Sequence, residues 1–327
     1  MRIGIIGVGS ISKNHIHALK QIGHEIVALC DVIPERCHAA NETFGLSAAV
    51  YEDYIRMLDE VALDAVHICT PHHLHTPMCC EALGRNIHVL CEKPFAISEE
   101  QLATLEAAVK ASSATIGVCH QNRYNAPIRY AKQFFEGREI TAAVGSLVWA
   151  RDQKYYAGGA WRGLWATEGG GVMINQALHT LDLLGWFCGY PKSVKAHIAN
   201  DSLEGVIEVE DTAHGIFTLE NGGNFIVHAT NAAKANFPVN IMLHAGNDTV
   251  LISGTNTVLV NGVHIPTEEA QAAVGKAEWG TGHFMLIRDF YDCIENGRPF
   301  PINFEEGSKV VRLILGMYES NGQEVIL

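Results

Sequence analysis

Short, uninterrupted apolar runs recur through the first third of the chain, and helix-favouring stretches separate them. Such runs are typical of strands buried on both faces of a parallel sheet. The predicted strands are Arg2–Ile6, Ile26–Cys30, Ala65–Cys69, Ile87–Cys91 and Thr115–Cys119, and the predicted helices are Ile11–Ile22, Pro34–Phe44, Thr76–Arg85 and Glu99–Ala111. Regular alternation of strand and helix predicts a doubly wound α/β domain over residues 1–120.

The pattern changes after about residue 120, where polar and apolar residues alternate over longer segments. The predicted strands there are Gly145–Lys154, Lys192–His197, Thr212–Leu219, Asn224–Ala229, Val239–Ala245 and Val258–Val260, with helices at Val172–Phe187, His283–Asn296 and Glu305–Ser320. Turn sequences such as Asn221-Gly222-Gly223 join strand directly to strand, which indicates antiparallel pairing. We therefore expect residues 121–327 to form an α+β domain on a mainly antiparallel sheet.

A glycine turn follows the first predicted strand, with the sequence Gly7-Val8-Gly9-Ser10-Ile11-Ser12. Gly7 permits a tight turn, and Gly9 lets the backbone approach a pyrophosphate. Ser12 replaces the third glycine of the usual fingerprint, where a small side chain suffices. The helix that begins near Ser10 and Ile11 directs its backbone N–H groups at the phosphates.

Asp31 ends the second predicted strand, 22 residues beyond Gly9. An acid at this distance is expected to accept hydrogen bonds from a ribose hydroxyl and to repel a 2′-phosphate. The alternative is that Asp31 only caps the following turn. Together with the glycine turn, it predicts a Rossmann domain that binds NAD, with NADP as the less favoured cofactor.

Charge and composition exclude several classes of protein. The formal net charge is −13 and no Lys/Arg run occurs, so neither nucleic acid nor an anionic membrane is an expected partner. No apolar run reaches membrane-spanning length. The nine cysteines lack a framework spacing, and no signal peptide precedes the first strand. We expect buried free thiols and a cytoplasmic location.

Three further segments carry more specific motifs. The first is Glu92-Lys93-Pro94, directly after the predicted strand Ile87–Cys91. The second is Thr70-Pro71, followed by His72-His73-Leu74-His75. The third is the stretch from Gly169-Gly170-Gly171 through Asn175 and His179 to Asp182. Together they resemble the glucose–fructose oxidoreductase/inositol dehydrogenase (Gfo/Idh/MocA) family over essentially the whole chain. The resemblance implies an NAD(P)-dependent oxidoreductase acting on a secondary hydroxyl of a sugar, inositol or related polyol. It also implies a homodimer or homotetramer formed through the C-terminal sheet.

The resemblance assigns roles to individual residues. Lys93 is expected at the nicotinamide and the reacting hydroxyl, Glu92 beside the cofactor, and His179 as the proton-transfer residue. The Lys93–Pro94 bond is expected to be cis. The residues expected to line the cofactor channel are Thr70, Pro71 and His75. Histidine suits proton removal near neutral pH, and a lysine can stabilise a developing alkoxide.

One position departs from the family pattern. Many members carry Asp four residues before the histidine, whereas this chain has Asn175. An amide can orient the substrate or His179 but cannot accept a proton. We therefore assign the base role to His179, with Lys93 assisting.

Other candidates are less specific. Gln121 and Arg123 follow the last strand of the first domain and are expected to contact cofactor or substrate, although Arg123 could instead form an ion pair. The stretch containing Asp152, Tyr156, Trp161 and Arg162 fits a polyol pocket, or equally a lid or interface. Trp279 and His283 are placed near the same pocket. The histidines at 72–75 have no matching ligand cluster, so no metal site is expected.

Two alternative functions stay open at this point. One is a redox-neutral glycoside-cleaving enzyme that oxidises and re-reduces its substrate with bound NAD. The other is an NAD- or sugar-sensing protein without catalysis. Retention of both Lys93 and His179 disfavours the sensor, while Asn175 leaves it open.

Overall fold

The computed structural model describes residues 1–267 and 281–327, which fall into two compact units. The first unit comprises Met1–Gln121 and Thr281–Ser308, and the second comprises Asn122–Gly280 and Lys309–Leu327. The single boundary expected at residue 120 therefore misses a C-terminal segment that packs with the N-terminal sheet. Phe300 of this segment packs closely on Gly117, since an added Cβ at Gly117 would lie 2.6 Å from the Phe300 ring, and a contact so distant in sequence has no local signal.

The elements of the first 121 residues alternate as predicted. They are β1 (Arg2–Ile6), α1 (Ser12–Gln21), β2 (Glu25–Cys30), α2 (Pro34–Phe44), β3 (Ala49–Tyr51), α3 (Tyr54–Glu60), β4 (Ala65–Ile68), α4 (His75–Gly84), β5 (His88–Cys91), α5 (Glu99–Ala111) and β6 (Ile116–Val118). The strand order is β3-β2-β1-β4-β5-β6, with parallel pairing throughout. The doubly wound sheet is confirmed. The short elements β3 and α3 were not predicted.

The remaining elements build the second sheet and its helices. They are α6 (Ala126–Phe134), β7 (Ala142–Val148), α7 (Gln153–Ala157), α8 (Val172–Asn175), α9 (Leu178–Cys188), β8 (Ser193–Ala199), β9 (Thr212–Thr218), β10 (Asn224–Thr230), β11 (Asn240–Ala245), β12 (Asp248–Ser253), β13 (Thr257–Val260), β14 (Val263–Ile265), α10 (Gly282–Glu295), α11 (Phe304–Ser320) and β15 (Glu324–Ile326). The strand order is β14-β13-β12-β11-β7-β10-β9-β8-β15. Among the described strands of this second sheet, only β7 and β10 pair in parallel, which confirms that the sheet is mainly antiparallel. Helix α10 belongs to the first unit.

Two predicted elements of the second unit were wrong in extent. The strand predicted to Lys154 ends at Val148, because the Asp152 carboxylate accepts the Tyr155 N–H at 2.9 Å and starts α7. The helix predicted over Val172–Phe187 is two helices. The Ala177 N–H bonds to the Val172 carbonyl, five residues back, at 2.8 Å. Such a wide turn interrupts the helical ladder and is frequent at functional sites.

Helix α9 covers one face of the second sheet. Gly145 of β7 makes room for it, since a Cβ there would lie 2.7 Å from the Thr180 methyl group. The opposite face carries partly exposed apolar side chains among the described residues, including Ile216 and Met242. Within residues 1–267 and 281–327, no helix has both the length and the apolar character needed to cross a bilayer.

Candidate functional site

The glycine turn between β1 and α1 has the shape that a dinucleotide requires. Gly7 has φ +88°, and a Cβ there would lie 2.7 Å from the Cys69 carbonyl group. In the described part of the chain, no atom outside residues 8–10 lies within 4 Å of the position that a Cβ of Gly9 would take, so the backbone there is accessible. The Ser12 hydroxyl donates to the Gly9 carbonyl at 2.7 Å and fixes the turn. The open backbone at Gly9, with exposed Ser10 beside it, fits a pyrophosphate.

The Asp31 carboxylate is tied to this turn. Its Oδ2 accepts the Val8 N–H at 2.8 Å, and its Oδ1 accepts the Ile33 N–H at 2.9 Å. Arg36 lies 3.3 Å from Oδ1. Asp31 thus caps its own turn and also orders the glycine turn. Oδ1 already accepts from two donors, whereas Oδ2 accepts from one and keeps a second lone pair for a ribose hydroxyl.

The Glu92–Lys93–Pro94 segment follows β5, and its Lys93–Pro94 bond is cis as expected. His75 is fully buried, with Nδ1 2.6 Å from the Pro94 carbonyl oxygen and Nε2 2.8 Å from that of Thr70. It therefore joins the segments that follow β4 and β5. The structure gives His75 a positioning role, and its direct contact with the cofactor stays a prediction. Thr70, Pro71 and Lys93 are partly exposed.

Beneath this segment lies a buried polar network that the sequence did not reveal. Glu92 Oε1 is 2.9 Å from His15 Nε2 and 3.5 Å from His283 Nε2. His15 Nδ1 is 2.7 Å from His67 Nδ1, and His67 Nε2 is 2.7 Å from the Tyr291 hydroxyl. His283, predicted near the substrate, is only 5% exposed and belongs to this network.

The network keeps Glu92 ionised. Burial acts to raise the pKa of its carboxyl group, but the hydrogen bonds and charges of His15 and His283 outweigh burial and hold that pKa well below its usual range. Burial lowers the pKa of His67 well below its usual value. A fixed negative charge therefore lies directly before Lys93.

Potential metal ligands also meet in this network. In the described ranges, one group of three lies within 4.8 Å, namely His15, Glu92 and Cys119. Burial raises the pKa of the Cys119 thiol well above its usual value, which keeps it protonated, whereas metal binding needs a thiolate. His15 and Glu92 already form a hydrogen bond. The arrangement fits a hydrogen-bonded network better than a metal centre.

Hydrogen bonds to Glu210 fix the end of the glycine segment 169–171 and the residues that follow it. Its carboxylate accepts the Gly171 N–H at 2.8 Å, the Met173 N–H at 3.0 Å and the Tyr318 hydroxyl at 2.9 Å. A Cβ at Gly170 would overlap the Tyr318 hydroxyl, so no larger residue fits there. Burial raises the pKa of Glu210 to about 7, although these hydrogen bonds oppose the shift. The same hydrogen bonds set where α8 begins.

Asn175 ends α8, and its side-chain amide donates to the carboxylate of Glu168. Glu168 is fully buried and also accepts the Gly163 N–H. Sequence reasoning missed Glu168, although it directly precedes the glycines. Asn175 and His179 are both partly exposed.

Arg123 forms an ion pair, which is the alternative left open above. Its Nε lies 2.8 Å from Asp182 Oδ2, and its Nη2 lies 2.6 Å from Asp182 Oδ1. Both side chains are buried, and the guanidinium stacks on Trp186 at 5.1 Å. Arg123 therefore orients helix α9 and is fully engaged by protein groups. Gln121 is buried as well.

The residues of the aromatic stretch before the glycines have different structural roles. Tyr156 packs into a small cluster with Leu203, Ile207 and Val209, so the structure gives it the packing role. Asp152 caps α7. Arg162 stacks on Trp161, with Cζ 4.8 Å from the ring centroid. Trp279 lies outside the described residues.

Comparison with known proteins adds a family. The family model described as the NAD-binding Rossmann fold of the GFO/IDH/MocA oxidoreductases matches residues 1–120, and that of the GFO/IDH/MocA C-terminal domain matches residues 130–260. The chain is 27% identical to D-apiose dehydrogenase of Paraburkholderia graminis, covering 97% of this chain and 86% of that protein. It is 28% identical to inositol 2-dehydrogenase of Salmonella typhimurium over 43% of each chain.

Solved structures agree with the fold. The WlbA dehydrogenase of Bordetella pertussis, in complex with NADH and UDP-GlcNAcA, has a TM-score of 0.86 and 29% identity, covering 100% of this chain and 98% of its own. Levoglucosan dehydrogenase, in complex with NADH and levoglucosan, has a TM-score of 0.90 over 100% and 99% of the two chains. At 20% identity, the second likeness concerns the fold alone.

Proposed function

The chain belongs to the Gfo/Idh/MocA oxidoreductase family, and we propose that it transfers a hydride between NAD and a secondary hydroxyl, or the matching ketone, of a sugar, inositol or related polyol. Residues 1–120 would bind NAD, and residues 121–327 would supply most of the substrate site. Gly7, Gly9 and Asp31 would hold the dinucleotide. When bound, NAD supplies the hydride acceptor.

The observation that carries the proposal is the hydrogen bond between His15 and Glu92, 2.9 Å long. His15 lies in the first turn of α1, the helix that begins at the glycine turn. Glu92 immediately precedes Lys93. This bond therefore fixes Lys93 relative to the backbone that fits a pyrophosphate.

Each catalytic candidate would have a distinct task. His179 would remove the hydroxyl proton as hydride leaves, since imidazole titrates near neutral pH. Lys93 would stabilise the developing alkoxide with its ammonium group. Asn175 would orient the substrate hydroxyl without taking a proton. The family membership and the partial exposure of all three side chains support these roles.

The direct test is NADH formation, followed by absorbance, with NAD and a panel of polyols, inositols, sugars and nucleotide sugars. We expect turnover with at least one member and a loss of about 10²-fold or more in kcat for Lys93→Ala. NAD binding by calorimetry should be unchanged, and Lys110→Ala, an exposed lysine of α5, is the matched control. Full activity of Lys93→Ala would exclude the assignment of this residue.

The same assay separates the two other functions. Cleavage of a glycoside without net NADH formation would identify the redox-neutral enzyme. Tight NAD binding with no conversion of any panel member would favour the sensor.

The face of the second sheet opposite α9 supports self-association through β7, β9, β10 and β11. Met242, Val144, Ile226 and Ile216 are direct cross-strand neighbours in one row. Ile216 is 50% exposed and Met242 is 45% exposed. A continuous apolar row on a sheet face fits a second copy of the chain. Light scattering should give a dimer or tetramer mass that Ile216→Lys lowers, and a monomeric parent protein would contradict this.

The thiols support a reducing, cytoplasmic location. All nine cysteines lie in the described ranges and are free. Burial raises the pKa of Cys30 to about 12 and that of Cys37 to about 11, which keeps both unreactive.

A further inference from the structure

Two arginines flank one tyrosine in the segment before the glycines. The Cζ atoms of Arg151 and Arg162 lie 4.9 Å and 5.1 Å from the Tyr155 ring centroid. Arg151 also stacks on Trp149 at 4.9 Å, and Arg162 stacks on Trp161 at 4.8 Å. Aromatic stacking therefore holds two guanidinium groups around one ring, and we call these five residues the arginine–aromatic cluster.

The two guanidinium groups lack an acidic partner within the described residues. Arg151 Nη1 bonds to the Ala150 carbonyl at 2.6 Å and lies 3.3 Å from Asn236 Oδ1. The Nε atoms of Arg151 and Arg162 are buried and have no acceptor. The nearby Asp152 carboxylate is used to cap α7. This contrasts with Arg123, whose fork is filled by Asp182.

An unfilled guanidinium fork has a defined chemical preference. Its planar donors match the paired oxygens of carboxylate and phosphate, and buried donors without an acceptor are costly. Two positive charges held around one ring also repel each other, and a bound anion would offset this repulsion. The formal charge of the chain is −13, so these groups are a local exception in an acidic protein.

The cluster is connected to the candidate catalytic segment. The Tyr155 hydroxyl accepts a hydrogen bond from Gln176 Nε2 at 3.2 Å. Gln176 directly follows Asn175, and its Oε1 accepts from Asn231 at 3.0 Å. All of these residues belong to the second unit. The cluster is thus one hydrogen bond away from the turn between α8 and α9.

We propose that Arg151 and Arg162 bind an anionic group, a carboxylate or a phosphate, carried by the substrate. The preferred substrate is then a sugar acid or a phosphorylated sugar rather than a neutral sugar. This inference rests on the proposed function for the statement that the ligand is the substrate. The anion binding itself stands on the geometry of the cluster.

The first experiment compares matched substrates with saturating NAD. The pairs are glucose with glucuronate and glucose with glucose 6-phosphate. For the anionic substrate used, Arg162→Gln should lower kcat/KM roughly 10- to 100-fold, as loss of a charged hydrogen-bonding pair does. Arg162→Lys, which keeps the charge but not the fork, should lose less. Comparison of glucuronate with glucose 6-phosphate shows whether the site prefers a carboxylate or a phosphate.

The matched control is Arg138→Gln. Arg138 also stacks on an aromatic ring, with Cζ 4.7 Å from Phe134, but its Nη1 is paired with Asp248 at 2.6 Å. It should not alter the preference between charged and neutral substrates. Equal turnover of neutral and anionic members, unchanged in Arg162→Gln, would overturn the proposal while leaving hydride transfer intact.

The second experiment measures binding without turnover. Calorimetry of the full chain with glucuronate and with inorganic phosphate should show binding that weakens with salt and is lost in Arg162→Gln and Arg151→Gln. Such binding without conversion of any substrate would support the anion site and contradict the proposed oxidoreductase activity on this panel. Absence of binding to every anion would overturn the site. Thermal unfolding of each variant checks that the fold is kept, and Arg162→Lys serves if Arg162→Gln unfolds.

Discussion

The side-chain amide of Asn175 donates a hydrogen bond to the fully buried carboxylate of Glu168. Only Nδ2 of an amide can donate, so the carboxylate itself sets the orientation of the group. Asn175 Oδ1 is therefore the end turned away from Glu168. At the position where the family resemblance leads us to expect a carboxylate, this chain therefore keeps an acceptor oxygen, and the nearest carboxyl group that the amide contacts is that of Glu168.

This pairing predicts that Asn175→Asp will not restore the family pattern. It would place two carboxyl groups in contact in a buried setting, so that one must stay protonated. We expect a stability loss of about 1–3 kcal/mol and lower kcat/KM, measured by thermal unfolding and steady-state kinetics.

The double variant Glu168→Gln/Asn175→Asp should recover most of both losses, because it exchanges amide and carboxylate across the same hydrogen bond. If Asn175→Asp alone were as stable and active as the parent, the pairing would not constrain position 175.

His179 is expected to carry proton transfer. His179→Ala should lower kcat by about 10²- to 10⁴-fold with little change in NAD affinity, because the lost group acts on the substrate hydroxyl. Stopped-flow and calorimetry measure the two quantities. His38→Ala, an exposed histidine of α2, is the control. A small loss that is the same at every pH would assign His179 a structural role.

Asp31 is expected to set the cofactor preference. Asp31→Asn keeps an acceptor for the Val8 or Ile33 N–H but removes the negative charge, and Arg36 lies beside it. The ratio of kcat/KM for NADP over NAD should rise about 10- to 100-fold, since a 2′-phosphate would no longer be repelled.

Adding Arg36→Gln should cancel most of that gain, because the positive partner of the phosphate is removed. An unchanged ratio in Asp31→Asn would mean that the repulsion lies elsewhere.

Glu210 predicts a pH-dependent stability. Its pKa in the folded chain is about 7 because burial disfavours the charged form, against 4.5 for an ordinary glutamate. Folding therefore favours the protonated carboxyl group. The stabilisation is complete below about pH 4.5 and is lost as pH rises through 7, by about 3 kcal/mol in all.

Glu210→Gln should flatten this slope between pH 4.5 and 7, as measured by thermal unfolding across that range. At pH 4.5 it should also lower stability, because an amide replaces one acceptor of the Gly171 and Met173 N–H groups. An unchanged slope would mean that Glu210 does not titrate in this range.

Sequence reasoning performed best where chemistry is local. The bounds of β1, α2 and α5 agree with the structure, because continuous apolar runs, Pro34 and the Ser98 cap are themselves the physical causes of those elements. Some elements that it missed, such as β3, are three-residue strands that are held by pairing with a neighbour. It also missed the longer elements α3, α6 and β12. The interruption between Asn175 and Leu178 also has no local signal.

The candidate site divides along the same line. The sequence alone predicted the glycine turn and Asp31 from residue types at a fixed spacing, and it predicted Lys93 and His179 from the family resemblance. Tertiary structure decided which partner each polar side chain contacts. His283 lies beside Glu92, which His15 also contacts, and Arg123 forms an ion pair with Asp182. The Nε atom of Arg162 has no acceptor among the described residues. Hydrogen bonds and burial depend on distances between segments far apart in the chain, and only folding sets those distances.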